Sequence, residues 1–549
     1  MPAYLFSNSP LPILTMLVLA PLVGMLLIGI AGLLRLDDRI VKIGATLWSL
    51  IPLGLAIFVY AGFDPNEIRD GQQVIQFVER IPWTDAIRVE YFLGVDGLSL
   101  PMVLLTAMMT PVALLASFSV DRQVKAHYAM LLLLEAAMLG YFVSLNFFFF
   151  FIFWEFSLVP AFFLIQGWGR EGDRKRPAAF GFFVYTLAGS IGMLLLFLLL
   201  YAATGAAGRP TFDLIELARL GLNKPVEGLS GNLQTILFSF LDTSSPWLTD
   251  SLGRFPLLYA SIAFWAMFIA FAIKLAIWPF HTWLPDAYSE APTAGSILLS
   301  AVMSKMGAYG MLRLLLPLFP QAASISAALI GGLALIGVII GAFGALSQTQ
   351  GDLKRLIAYT SINHMGYVGL AVAALAAMGP GALPDSRAAA LNGASMQMVA
   401  HGLSTGALFL LAGIVAERAG TYRLSELGGL RASMPVVAGL MGIATFANLG
   451  LPGMAGFVGE LLIMRGLWAA LPVLALLATI GLVITALALL RMYGQIFHGP
   501  LVARSAGDLP LISREFLALL PLVIAMIALG IYPAPIVDLS NRAITLLGI

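Results

Sequence analysis

The feature that most restricts this chain is a recurring length. Apolar runs of roughly 18 to 25 residues, each enough to cross about 30 Å of hydrocarbon as helix, follow one another from Leu11 to the C-terminus. We place about fourteen, starting near Leu11, Ile40, Asp96, Tyr128, Asn146, Ala178, Leu257, Thr293, Ile325, Leu353, Ser395, Pro435, Pro472 and Phe516. Hydrocarbon offers no partner to backbone N–H and C=O groups, so runs of this length read as helices. The fold class expected is an all-α polytopic membrane protein. A composition of 60% hydrophobic and 11% charged residues over 549 positions fits no water-soluble chain. The cut between the fourth and fifth spans, around Ser144 to Asn146, rests on the thinnest signal. The first run ends in Arg35 and Asp37 without a small-residue cleavage site, so it is expected to stay as a helix.

Charge outside the spans gives an orientation. Connections after odd-numbered spans hold Arg35, Arg39, Lys42, Arg122, Lys125, Arg170, Arg174, Lys175, Arg176, Lys354, Arg355, Arg418, Arg423, Arg431, Arg491, Arg504 and Arg514. Short segments after even-numbered spans hold only Arg387, Arg465 and Arg542. The odd connections should face the cytoplasm, with both termini on the periplasmic side of the bacterial cell membrane. Two longer even-side connections, about 62–95 and 204–256, read as extramembrane caps and carry no assigned chemistry. A net charge of +1 gives no basic surface for nucleic acid, and zero cysteines leave no thiolate, Fe–S or Cys-bound zinc chemistry. The GxxxG pair Gly337 and Gly341 reads as a helix-packing face.

The informative residues are the charges inside apolar runs: Glu135, Glu155, Lys274, Lys305, Arg313, His364, His401 and Glu460. A Lys or Asp at a helix centre costs about 2.5–3.5 kcal/mol even on the lenient insertion scale, so each needs partners or a wet cavity. Arg313, near Pro317, is expected to reach the interface with its long side chain. The others are expected inside the bundle; for Glu155, His364, His401 and Glu135 the plain alternative is a local hydrogen bond between helices.

Two of these charges stand beside helix breakers. Lys274 lies five residues before Pro279, in Ala-Ile-Lys-Leu-Ala-Ile-Trp-Pro, and the helix should break there because proline lacks the N–H and clashes with the preceding turn. Glu460 closes Pro452-Gly-Met-Ala-Gly-Phe-Val-Gly-Glu, a second interruption. Broken helices inside a membrane persist only within protein or beside water, where freed carbonyls hold ions, protons or water. The interruptions fall in the seventh and twelfth spans, and an odd number of helices per unit would place the second copy upside down. The organisation expected is three N-terminal helices over 1–127, a first five-helix unit over 128–320, an inverted second unit over 321–500, and a C-terminal span over 501–549.

At these segments the sequence resembles the antiporter-like membrane subunits of respiratory NADH:quinone oxidoreductase, complex I, and within them the M type, a family shared with multisubunit Na+/H+ antiporters. The motifs are Gly94-Val-Asp-Gly-Leu-Ser, Glu155, the run from Lys274 to Ser296, Leu353-Lys-Arg-Leu-Ile-Ala-Tyr-Thr-Ser and Gly450-Leu-Pro-Gly. The resemblance implies that Glu155 and Lys274 form the ion pair of the proton-entry half, that Lys305 and His401 continue a hydrated line, and that Glu460 is the exit-side group. His364 and Glu135 are further candidates along that line. Glu at 460, where L- and N-type members carry Lys, is similar to the M position, as is an end at Ile549 without a long lateral helix.

What the resemblance implies about function is proton translocation driven by redox chemistry in other chains. NAD, FMN, Fe–S clusters and quinone belong to those partners, and no cofactor or metal is expected on this chain. Expected partners are the L-type and N-type chains, small membrane-arm subunits and the lipid bilayer. A subunit of a Na+/H+ antiporter or membrane-bound hydrogenase is the alternative within the family. A self-contained solute transporter and a passive scaffold are alternatives outside it, which dispersed buried acid and base groups fit less well.

Overall fold

The computed structural model describes residues 6–8, 11–69, 72–84, 86–379, 383–500 and 511–547. Arg504 and the expected 500/501 boundary lie outside the described residues. Twelve helices among them are long and apolar enough to cross a membrane. The other two expected spans are the ones whose backbone changes type along its length. From Thr293 to Leu318 the chain stays helical but alternates between α and π turns, with π segments at Leu299–Met303 and Met311–Leu315 on either side of Lys305. Pro317 cannot donate to the Arg313 carbonyl, which accounts for the second of them. The expected span from Pro435 is two shorter helices, Pro435–Asn448 and Ala455–Ala470.

Local chemistry fixes the other boundaries. The cut at Ser144 to Asn146 is real: the helix Val124–Val143 ends at an extended Ser144, and Asn146 caps the next helix by accepting from Phe148 N at 3.0 Å. The break near Pro279 comes earlier than expected. Helix Pro256–Leu275 stops one residue after Lys274, and Ala276 takes the left-handed conformation. This agrees with how proline acts, since the carbonyl deprived of its donor lies four residues upstream, at Leu275. The helix expected to start at Ser395 starts at Pro384 and runs to Ala419, 36 residues. Its polar first turns are helical because buried Asn392 bonds to Ser540 and Asn541 of a final helix, Ala534–Leu547, which lies beyond the last span, Ser513–Ile531. Gly341, from the packing pair, lets its helix meet helix Leu353–Met378, since a Cβ there would come within 2.5 Å of Asn363 N.

The connections divide between two ends, as the alternation requires. At the odd-loop end Arg170 pairs with Asp352 and stacks on Tyr422 at 3.9 Å, and Trp168 donates to the Arg122 carbonyl. Lys354, expected as a loop cation there, is instead fully buried with its ammonium on the Ala291 carbonyl. The even-loop end carries strands that an all-helical reading does not contain: Ile75–Thr84 pairs antiparallel with Val89–Val95, and Phe6–Asn8 joins in parallel. Ile75, Val78, Phe92, Leu145 and Ile215 form a small separate core under them. The 204–256 connection folds as helices Leu214–Gly221, Leu233–Ser244 and Pro246–Leu252.

Arg313 does not reach the interface. It is 4% exposed and pairs with fully buried Asp96, whose other oxygen accepts from Leu98 N and Ser99 N at 3.0 and 2.9 Å. The π turn at Met311–Leu315 carries Arg313 inward, toward the start of the third span. Removing one partner of a buried pair leaves the other charge uncompensated, at a cost of about 3–5 kcal/mol. Arg313→Met should therefore lower the thermal midpoint of the purified protein clearly, and an unchanged midpoint would reject the structural role.

Asp213 ties the cap together. Its Oδ1 accepts from Ile215 N and Glu216 N at 2.9 and 3.1 Å, and its Oδ2 lies 3.2 Å from Arg80. Burial, and after it the neighbouring Glu216 charge, push this carboxyl up to about 7 against the opposing pull of Arg80. A raised carboxyl binds more protons folded than unfolded, so the cap should gain stability as pH falls through about 7 and lose it above. Amide exchange at Phe147 and Leu214, which bond to Phe212 and Leu145 across the junction, should slow between pH 8 and 6 once corrected for intrinsic rate. Asp213→Asn should flatten that profile.

Candidate functional site

The site is a line of charged and hydrogen-bonding side chains through the bundle interior. It begins where the fifth span bends: helix Phe147–Phe156 gives way to Leu158–Trp168 at Ser157, three residues before Pro160. Buried Lys274 occupies the bend. Its ammonium donates to the Trp154 carbonyl at 3.0 Å and to Ser157 Oγ at 2.9 Å, and lies 3.8 Å from the centre of the Trp154 ring. Glu155 stands between those two residues, half-buried, with Oε1 enclosed and without a hydrogen-bond partner. Among the described contacts there is no direct ion pair between Glu155 and Lys274. The ammonium is thus held by Trp154 and Ser157, the residues on either side of Glu155 at the same bend.

The break after Lys274 is closed by protein. The Ile273 carbonyl accepts the Trp283 indole N–H at 2.9 Å, and Ile277 N reaches back to the Ala272 carbonyl. Lys305 follows across a tight contact. A Cβ on Gly307 would come within 2.5 Å of the Phe271 carbonyl, and one on Gly310 within 2.2 Å of the Phe271 ring. The two lysine-bearing helices therefore touch backbone to backbone.

From Lys305 the groups are contiguous. Lys305 Nζ lies 2.6 Å from His401 Nδ1. The rings of His401 and His364 have centroids 5.4 Å apart. His364 Nε2 lies 3.0 Å from Asn448 Oδ1, while its Nδ1 lies 3.2 Å from Gln397 Nε2 and 3.4 Å from Glu460 Oε1. With the ring proton on Nε2, His364 donates to Asn448 and accepts from Gln397, while Glu460 stands beside the same Nδ1. Glu460 itself is seated by the second break, where Gly450 has φ of 76° and leaves room that a Cβ, 2.2 Å from Glu460 Oε2, would fill.

The structure thus brings Lys305, His401, His364 and Glu460 together and places Lys274 and Glu155 at one bend. Glu135 is fully buried in helix Val124–Val143, and neither carboxyl oxygen has a hydrogen-bond partner among the described residues. His401 Nε2 and Glu460 Oε1 are likewise enclosed and unbonded. Buried polar atoms usually have a hydrogen-bond partner in protein or water, so these enclosed oxygens and nitrogen are places where water fits. Sequence reasoning missed Ser157, Gln397, Ser404 and Asn448, which hold the line together. Gln397 was legible, one helical turn before His401 on the same face; Asn448, the last residue before the second break, was legible as a polar end to an apolar segment.

Glycine substitutions separate packing from site geometry. Gly450→Ala should cost about 1–2 kcal/mol from the left-handed backbone alone, and should displace Glu460 as well. Gly439, in helix Pro435–Asn448 with nothing within 4 Å of its Cβ position, should tolerate alanine, with a gain of up to about 1 kcal/mol. Thermal denaturation of the two variants should move in opposite directions.

Comparison with known proteins agrees with this architecture. Residues 144–485 match the family model described as NADH:quinone oxidoreductase/Mrp antiporter, TM. The chain is 35% identical over 511 residues to NADH-quinone oxidoreductase subunit M of Rhodobacter capsulatus, covering 92% of this chain and 90% of that one. It is 34% identical over 539 residues to F(420)H(2) dehydrogenase subunit M of Methanosarcina mazei, covering 96% of each. Its fold superimposes on a chain of respiratory complex I from Thermus thermophilus with a TM-score of 0.77 at 26% identity, covering 97% of this chain and 99% of that one. The Mrp complex from Dietzia sp. shares the fold at a TM-score of 0.72 and 24% identity, with 96% and 52% covered. The chain belongs to the NADH:quinone oxidoreductase/Mrp antiporter family of membrane subunits.

Proposed function

We propose that this chain, as a member of that family, is a proton-translocating membrane-arm subunit of an NADH:quinone oxidoreductase, driven by redox chemistry in partner chains. The observation that carries the reading is the run of buried acid and base groups from Lys274 and Glu155 through Lys305, His401 and His364 to Glu460. Glu155 and Lys274 act as the switch: how firmly an enclosed amine holds its proton depends on where the neighbouring carboxylate points and whether it is charged. When the carboxylate swings away, the Lys274 proton passes by water to Lys305, then to His401 Nδ1, and through His364 to Glu460. Glu135 serves the same wet region from the fourth span. Moving one charge against 100 mV takes about 2.3 kcal/mol, and one pKa unit is about 1.36 kcal/mol, so a swing of about two units at the switch suffices.

The partners in this reading are L-type and N-type chains and the small membrane subunits, while NAD, FMN, Fe–S clusters and quinone are held by other subunits of the complex. Odd connections face the cytoplasm and both termini the periplasm, an assignment supported by the excess of Lys and Arg in the odd connections. The two helix breaks, five spans apart, support inverted units at 128–320 and 321–500. That a relative named for F(420)H(2) matches as well as one named for NADH supports assigning the electron donor to other subunits.

Lys274→Ala in the assembled complex is the decisive substitution. NADH-driven proton uptake into vesicles should fall while the complex still assembles, with electron transfer measured in the same preparation. Normal protons per electron would reject the switch. A sodium-dependent flux replacing proton uptake would instead favour the antiporter alternative.

A further inference from the structure

Two of the three cations that break the charge asymmetry of the short connections, Arg387 and Arg465, come together in the fold. Helices Pro384–Ala419 and Ala455–Ala470 run antiparallel in contact: a Cβ on Gly393 would come within 2.5 Å of Ile463 N, and one on Gly466 within 2.8 Å of Ala390 N. Arg387 stands one turn beyond Ala390 on the same face, level with the last turn of the second helix. It is 5% exposed, and its Nε is enclosed without a hydrogen-bond partner. Arg465, beside Gly466, faces outward. Neither guanidinium has an ion pair or side-chain hydrogen bond with another described residue.

The surface around Arg465 is aliphatic and set at headgroup depth. Leu461, Arg465 and Trp468 recur at the spacing of one helix face and are all exposed, Trp468 by 62%. After the turn at Leu471, helix Pro472–Phe497 packs alongside with Val473, Leu476, Ile480 and Val483 outward, while Ala475, Ala478, Gly481 and Ala488 are buried. Contacts between helices in a membrane select small side chains, and here those point inward. That helix has 26 residues, about 39 Å of rise against about 30 Å of hydrocarbon. With the overhang shared between its ends, Leu471 lies just outside the hydrocarbon and Arg465, six residues earlier, near its edge. An arginine at that depth turns its guanidinium to the headgroups, and Trp468 sits where interfacial aromatics collect.

We infer that an anionic phospholipid of the even-loop leaflet occupies this face, its phosphate on the Arg465 guanidinium, its glycerol beside Trp468 and an acyl chain along Leu461 and the aliphatic surface. A guanidinium donates two parallel hydrogen bonds to phosphate, which fixes the headgroup as well as attracting it. Arg387, in the seam between the helices, adds a second positive charge at the same end. The acidic side chains of these two helices stand elsewhere: Asp385 on the opposite side of its turn, Glu417 at the far end, and Glu460 inward beside His364. A zwitterionic headgroup brings its own cation next to the phosphate, so two unpaired guanidinium groups favour a lipid of net negative charge. The lipid is thereby fixed to the helix that seats Glu460, and the site stands independently of the proton-translocating reading.

The test uses the purified complex in nanodiscs of phosphatidylcholine that contain a trace of phosphatidylglycerol with a photoactivatable diazirine on its acyl chain. Phosphatidylcholine with the same diazirine is the comparison, and cross-linked peptides are mapped by mass spectrometry. Peptides over residues 461–483 should be labelled several-fold more by the glycerol lipid than by the choline lipid. Ile325 and Leu329, exposed at the same end of helix Pro320–Ser347 with no cation on that helix, should be labelled equally by both and report that each variant is folded. Arg465→Leu should bring the ratio at 461–483 down to that standard, Arg465→Lys should keep part of it, and Arg387→Gln should lower it by a smaller factor. Equal labelling by the two lipids in the unsubstituted protein, or a preference that survives Arg465→Leu, overturns the site. Labelling by neither lipid while the standard is labelled shows a partner subunit over this face and overturns it too.

Discussion

Lys274 remains inside the bundle because a bend in another helix presents it with oxygen. The Trp154 carbonyl and the Ser157 hydroxyl lie at 3.0 and 2.9 Å, and the Trp154 ring covers the ammonium. The bend before Pro160 and the break after Leu275 meet at this amine: one interrupts the ladder around Trp154 and Ser157, and the other ends the helix one residue beyond Lys274. The same pairing of interruption and charge recurs at Gly450 and Glu460, where glycine clears the space that the carboxylate fills. Irregular backbone is costly in a membrane, and both helix breaks described here stand beside a buried charged side chain, Lys274 at one and Glu460 at the other.

Helix Pro384–Ala419 is what makes these separate solutions into one line. It is buried along its whole apolar window and carries Asn392, Gln397, His401 and Ser404 inward. Surrounded by protein, it can hold polar residues on several faces without presenting any to lipid. His401 meets Lys305, Gln397 meets His364 of helix Leu353–Met378, and Ser404 meets Asn448 of helix Pro435–Asn448. A single rigid element therefore spans both interrupted regions, which suits a mechanism that transfers protons between them without large backbone movement.

Much of this was legible because charge in an apolar run is an outlier. Glu135, Glu155, Lys274, Lys305, His364, His401 and Glu460 stand out by composition alone, and all are at least half-buried. What escaped reading has three physical sources. Hydroxyls and amides such as Ser157, Ser300 and Asn448 are cheap in helices and carry no such contrast. Pairings at long range, above all Arg313 with Asp96 across 217 positions, leave no local trace, so a residue near a span's end was read as reaching solvent. Lys354 was read by its place in a charged connection, although the fold carries it under the surface. The strands of the even-side cap were missed because hydropathy at membrane scale averages over the short alternation that marks them.

That cap has a bearing on how the protein is made. Its small core joins Ile75, Val78 and Phe92 of the hairpin to Leu145 and to Ile215, and the Asp213 to Arg80 contact spans the same gap. A ribosome releases the hairpin long before Ile215 exists, and the segments between are four membrane crossings that must be inserted in turn. The hairpin is therefore made with its apolar face uncovered and keeps it so until the later connection is delivered. Biogenesis of this subunit has a natural checkpoint at that moment, when the two parts of the cap first meet.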